Sequence, residues 1–241
     1  MINIFRKIRR RFFSNKVSSY LVYAIGEIVL VMIGILLALQ VNNWNENRKQ
    51  KEYLSVILQT VKNDLVSDTI VANTIIDYYK DNLKNSKKIL NGEVTMSNYT
   101  ECLPCLSLVT IYKPFNPQNK GYEQLKNYTG AQDIVNDSLI NDINKVYSVL
   151  FPLIEKNNDM MENKVMTNFN DFEEFPWFLD MAQNKFTNEI IKYFVESEDY
   201  KTRVASHAML AGGNHLNITQ QYKQNAEALI ERINDRLKEG D

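Results

Sequence analysis

Cys102-Leu-Pro-Cys105 is the motif in this chain whose residue types most directly carry chemistry. Two thiols at this spacing at a helix start favour a lowered thiolate pKa and disulfide exchange. Thioredoxin-type exchange also needs a strand–helix–strand setting, and no strand run is visible around the motif. The chain has 2 cysteines, so a metal site here would need outside ligands such as His207 or His215. Four readings stay open: a small structural disulfide in an oxidising compartment, buried free thiols, redox catalysis and metal binding. His207 and His215 fall about two turns apart on what reads as one helix, too far to share a metal without distortion. There is no Ser-His-Asp set, no phosphate-cradling glycine loop and no paired-carboxylate motif. The expectation is therefore no catalytic residue, no metal, no cofactor and no enzyme activity.

Glu27 is the other residue whose chemistry stands out, because it lies inside an apolar run. A carboxyl group in lipid is costly and usually faces protein or water. Val31, Gly34, Ala38 and Val41 share its helical face, and Gly34 with Ala38 forms a small-xxx-small pair that permits close backbone approach. The expected partner of this contact face (Glu27, Gly34, Ala38) is a second copy or another membrane helix. Two alternatives remain: Glu27 snorkels to the interface, or it carries protons in an ion-driven complex.

These residues need elements to position them. Leu21 to Val41 is apolar except for Glu27 and Gln40, and as a helix it spans about 31 Å, the thickness of a bilayer's hydrocarbon core. Tyr20 and Tyr23 mark one interface and Trp44 the other. The run is too long for a signal-peptide core and lacks a small residue at its end, so it is expected to stay. Arg6, Lys7, Arg9, Arg10, Arg11 and Lys16 precede it with no acid, whereas basic and acidic residues mix after it. Flanking charge then places the N-terminus in the cytoplasm, against anionic lipid, and the rest outside it, in the periplasm if the cell is Gram-negative. Ile4, Phe5, Ile8 and Phe12 share a face there, which suits a short interfacial helix or a plain basic tail. The whole chain has a net charge of −1, so everything beyond this tip is acidic, and nucleic acid is not an expected partner.

The chain has 241 residues, 8 glycines and 5 prolines, and that scarcity of breakers favours an all-α fold. Leu54, Leu58, Val61, Leu65, Ala72, Ile75 and Tyr79 recur at three- and four-residue steps, interrupted by Asp68, and Gly92 supplies a stop. Tyr222, Ala226, Leu229, Ile233 and Leu237 repeat the pattern on a last helix starting near Glu198, with Gly212-Gly213 bending it. The two stripes suit mutual pairing in a bundle, or oligomerisation. Between them the pattern predicts helices over 97–112, 121–128, 133–157, 160–172, 176–185 and 188–195, with Pro152 kinking or ending its own. Phe169, Phe172, Phe175, Trp177 and Phe178 are expected to fill the bundle core, or else to dock a partner or ligand. The organisation expected is a basic cytoplasmic or interfacial segment (1–20), a transmembrane helix (21–41), a juxtamembrane stalk helix (42–92) and the rest of a helical bundle packing on that stalk (93–241).

Tyr23 to Lys49, YAIGEIVLVMIGILLALQVNNWNENRK, resembles the N-terminal signature of an uncharacterised family of single-pass, membrane-anchored proteins common in Bacteroidota, a domain of unknown function. The Gly26-Glu27 pair, Gly34-Ile35-Leu36 and the exit from Gln40 to Glu46 carry the likeness; Gly121 to Gly130, GYEQLKNYTG, is similar to its second, looser motif. The resemblance implies one anchor and a helical domain, and no activity. Asp68-Thr69-Ile70 and Asp137-Ser138-Leu139 also fit a short acceptor pattern for O-linked glycans in such bacteria. The function expected is a membrane-anchored scaffold, assembly or sensory protein acting through the bilayer and protein contacts. Alternatives are an accessory subunit of an energy-coupling or transport complex using Glu27, or a thiol-redox protein using Cys102 and Cys105.

Overall fold

The computed structural model describes residues 16–130, 134 and 136–239, with backbone alone for 16–19. Arg6, Lys7, Arg9, Arg10 and Arg11 and the interfacial segment expected around Ile4 to Phe12 lie outside the described residues, as does the side chain of Lys16. The described chain is all-α, with no strand among these residues. The first helix, α1, runs Lys16–Leu90. It is long and apolar enough near the N-terminus to cross a membrane. The chain divides into two compact units, Met1–Tyr53 and Leu54–Asp241.

In the first unit every residue from Tyr20 to Trp44 is exposed. Large apolar side chains there, such as Ile28, Leu30 and Ile35, have no protein cover. A helix that is apolar all round with nothing packed on it is stable only in an apolar medium.

The second unit begins where α1 acquires a buried face. Ile57, Leu58, Val61, Leu65, Ala72, Ile75, Ile76 and Tyr79 are buried. The segment expected as a stalk is thus, from Leu54 onward, a bundle helix. It ends at Leu90, where Gly92 takes a φ of +69° and the amides of Gly92 and Glu93 close onto the carbonyls of Ile89 and Lys88. A short 3-10 segment, Tyr99–Leu106, follows, and then irregular chain until α2, Lys120–Lys126. The helix expected over 97–112 does not form, because Cys102 leaves helical geometry (φ −138°, ψ 61°) and Pro104 adds no N–H to a ladder.

α3, Ser138–Lys145, starts at the Asp137 cap, whose carboxylate accepts from the amides of Leu139 and Ile140. A π turn, Val146–Leu150, joins it to α4, Phe151–Glu173. Pro152 stands in the first turn of α4, where its missing N–H is tolerated, and the π turn just before it interrupts the α-helix expected to run through 133–157. α5, Phe178–Ala182, is short; α6, Asn188–Glu196, and α7, Glu198–Leu210, start at the Thr187 and Ser197 caps. A second π turn, Ala211–Leu216, contains Gly212-Gly213 and leads into α8, Asn217–Glu239. The last stripe therefore bends at the glycines while the helix continues.

One core unites the two stripes, with Leu58, Val61, Leu65 and Ala72 packed in a cluster with Tyr222, Ala226, Leu229 and Ile233. A second cluster gathers Ile89, Val94, both cysteines, Leu106, Phe172, Trp177, Phe194 and Tyr200.

Candidate functional site

Most of the buried polar side chains of the bundle point at one feature, the irregular chain from Cys105 to Gly121. Buried backbone without a ladder must find other partners. Tyr200 donates to the Cys105 carbonyl at 2.5 Å, Asn82 to Leu108 at 3.4 Å, Asn168 to Val109 at 3.0 Å and Tyr78 to Ile111 at 3.2 Å. The Tyr79 hydroxyl accepts from the Lys113 amide and donates to its carbonyl, both at 3.1 Å. His215 Nε2 lies 3.2 Å from that carbonyl and so carries the proton. Asn158 takes the Phe115 amide at 3.0 Å and returns a bond to its carbonyl at 2.8 Å.

The far end of this strap is held by carboxylates. The Gln118 amide donates to both oxygens of Asp68, at 3.0 and 3.1 Å, and the Gly121 amide to Asp64 at 2.7 Å. Tyr222 donates to Asp68 at 2.6 Å, tying α8 to α1. Asp64 and Asp68 are one turn apart on α1 and 5% and 2% exposed. Burial pushes the Asp68 carboxyl up to about 6, against the bonds from Tyr222 and Gln118, and the Asp64 charge adds to the rise. Burial also raises the Tyr222 and Tyr147 phenols well above their usual range. The Tyr147 ring stacks on Tyr122 at 4.4 Å, and its buried hydroxyl has no hydrogen-bond partner among the described residues.

The sequence-derived candidates are scattered. Cys102 and Cys105 form a disulfide. Cys102 is 5% exposed and Cys105 0%, so both sulfurs are shielded. The Cys102 sulfur sits 3.5 Å from the Asn85 side-chain oxygen and the Cys105 sulfur 3.8 Å from the Asn85 carbonyl. A disulfide has no proton to give either, so these acceptors match the reduced thiols.

His207 is buried with both ring nitrogens unpartnered, and burial with the Lys164 charge lowers it to about 4. His215 is lowered too, by burial, and its ring meets Tyr79 edge-on at 4.7 Å. Neither joins a metal set: among the described residues no group of three or more His, Cys, Asp or Glu could hold an ion. Glu27, Gly34 and Ala38 are exposed along α1, and a Cβ at Gly34 would touch nothing within 4 Å.

The aromatic run divides. Phe172 and Trp177 are buried, Phe175 and Phe178 half-buried, and Phe169 is 38% exposed. Of the two glycan-acceptor hydroxyls, Thr69 is half-buried and Ser138 is exposed at the start of α3. Asp68 is committed to the strap and the Thr69 hydroxyl to the Val66 carbonyl, while Asp137 caps α3 and binds Arg236.

Chemically, the arrangement offers acceptors to backbone amides and one carboxyl that exchanges its proton near pH 6. It presents no nucleophile beside a base. Sequence reasoning noted Asp68 as a break in a stripe and as part of a glycan-acceptor tripeptide, and missed Asp64, Asn82, Asn158, Asn168 and Tyr200. The signal was there: a polar residue at a core position of an amphipathic helix needs a partner. The looser motif around Gly121 also gains a reason. A Cβ at 121 would lie 2.4 Å from the Val61 amide nitrogen, so only glycine lets the strap reach α1 at Asp64.

No curated protein and no solved structure matches the chain. Residues 27–103, from Glu27 along the rest of α1 into the 3-10 segment that holds Cys102, match the model of a Family of unknown function (DUF6090), which fits the uncharacterised domain family expected from the Tyr23–Lys49 run.

Proposed function

We propose that this chain is a membrane-anchored helical scaffold, assembly or sensory protein of a Bacteroidota inner membrane, with a cytoplasmic N-terminus and a periplasmic bundle acting through protein contacts. The observation that carries the reading is the contrast between the two units. The first leaves a bare apolar helix from Tyr20 to Trp44. The second turns most of its buried polar side chains to its own backbone, as a rigid binding module would. The basic residues before Tyr20 support the orientation. Alkaline extraction of native membranes should leave the protein in the pellet, and purification in mild detergent should bring a defined partner with it. Extraction into the alkaline supernatant, or purification without any partner, overturns the reading.

A second reading, an accessory subunit of an energy-coupling or transport complex, is supported by Glu27 lying exposed on the Gly34/Ala38 face. It requires Glu27→Gln to abolish the partner's ion-driven activity while complex assembly survives. Thiol-redox function through Cys102 and Cys105 is the least favoured, since shielding of both sulfurs opposes exchange.

A further inference from the structure

Two helices of the bundle end in acids beside the same aromatic cleft. α4 ends at Glu173, with Glu174 as its cap residue, and the chain then turns through Phe175-Pro176-Trp177. α6 ends at Glu196. A helix C-terminus already carries partial negative charge, so acids there are unfavourable unless something cationic offsets them. Neither helix has a basic residue of its own in its last turn; Arg203 of α7 meets Asp171 at the end of α4 at 2.5 Å and makes no ion pair with Glu173, Glu174 or Glu196.

A cleft of about 450 Å³ opens where the two meet, lined by Phe175, Pro176, Trp177 and Tyr193 with Glu189 and Glu196. The Phe175 and Trp177 rings stack at 4.7 Å, and Tyr193 lies 4.8 Å from Phe175 and 5.2 Å from Trp177. Tyr193 is fixed by a 2.5 Å bond to Asp199, which Arg203 also holds at 2.8 Å. Glu189, Tyr193 and Glu196 follow at i, i+4 and i+7, so the two acids flank the ring on one helical face. Lys192 also lines the cleft, yet it lies in no ion pair with either acid. Glu173 and Glu174 are likewise without an ion pair among the described residues and are exposed.

We propose that this cleft docks a basic segment of a partner protein, one that presents arginine or lysine beside an apolar side chain. The apolar stems lie on Pro176, Phe175 and Tyr193, and the cationic heads meet Glu189 and Glu196. Charge complementarity selects this occupant: the rim and both helix ends are negative, and an acidic segment would be repelled. Lys192 stands on the same lining without pairing with either acid, and its charge repels the incoming cation.

The proposal rests on the scaffold reading and names the chemistry of its partner. The test uses the full chain in nanodiscs of zwitterionic lipid, with Trp44→Phe so that Trp177 is the remaining tryptophan. A labelled peptide alternating arginine and leucine is titrated against its glutamate–leucine counterpart. The arginine peptide is expected to bind saturably, shift Trp177 emission and weaken with salt. Glu189→Gln with Glu196→Gln should lower its affinity about fivefold, and Lys192→Gln should raise it about threefold. A misfolded variant would not produce the opposite signs. Equal binding of both peptides, or indifference to both sets of variants, overturns the proposal. Crosslinks from a co-purified native partner that map to another face overturn this cleft and leave the scaffold reading intact; the absence of any such partner overturns the scaffold reading itself.

Discussion

Gly121 packs directly on the backbone of Val61, close enough that its amide reaches the Asp64 carboxylate at 2.7 Å. The obstacle to a side chain at 121 is helix backbone together with the methyl of the fully buried, β-branched Val61. Gly121→Ala should therefore destabilise the bundle by about 2–4 kcal/mol, as steric insertion and the loss of a buried charge-assisted bond combine. Denaturant unfolding followed by circular dichroism measures this; a loss under about 0.5 kcal/mol would contradict the close approach.

Asn158 satisfies both the amide and the carbonyl of Phe115 inside the core. Truncation to alanine leaves both buried groups unpaired. The expected cost is about 2–5 kcal/mol, with amide exchange accelerated along 113–118 more than in α8. Uniform acceleration across the bundle would mean that Asn158 has no special hold on the strap.

Asp68 and His207 give opposite pH slopes. The Asp68 carboxyl titrates near 6 in the folded state, above the roughly 3.9 of an unfolded aspartate. The folded state then holds the extra proton, so this contribution is fully present below about pH 4 and is lost as pH rises through 6. His207 titrates near 4 folded against about 6.5 unfolded, so its contribution is lost as pH falls from 6.5 towards 4. Asp68→Asn keeps an acceptor for Gln118 and Tyr222, and its melting temperature should climb more steeply from pH 4 to 6.5 than that of the parent. His207→Phe should show the reverse, with a melting temperature that falls over the same range. Parallel pH curves for all three proteins would refute both assignments.

The Cys102–Cys105 link closes a very short loop, and its removal should cost up to about 2 kcal/mol by chain entropy. The reduced thiols meet the Asn85 oxygens in place, so the loss should fall below that figure. Thermal melts of the full chain with and without a strong reductant, compared with Cys102→Ala/Cys105→Ala, provide the measurement; a loss well above 2 kcal/mol would show that the link holds more than its own segment.

Sequence alone determined the features that depend on local periodicity. A run from Leu21 to Val41 that is apolar but for Glu27 and Gln40 marks a helix long and apolar enough to cross a membrane, because lipid demands apolar side chains over a fixed thickness. The stripes at Leu58–Tyr79 and Tyr222–Ile233, the Gly92 stop and the all-α class follow from the same three- and four-residue spacing. Tertiary structure decided what spacing cannot encode. The chain from Cys105 to Gly121 has no period of its own, and its course is fixed by Tyr200, Asn82, Tyr79, Asn158, Asp68 and Asp64, residues 26 to 95 positions away along the chain. Hydrogen bonds between such distant partners appear only once the helices have packed, and that is why Asp68 reads as an interruption in one dimension and as an anchor in three.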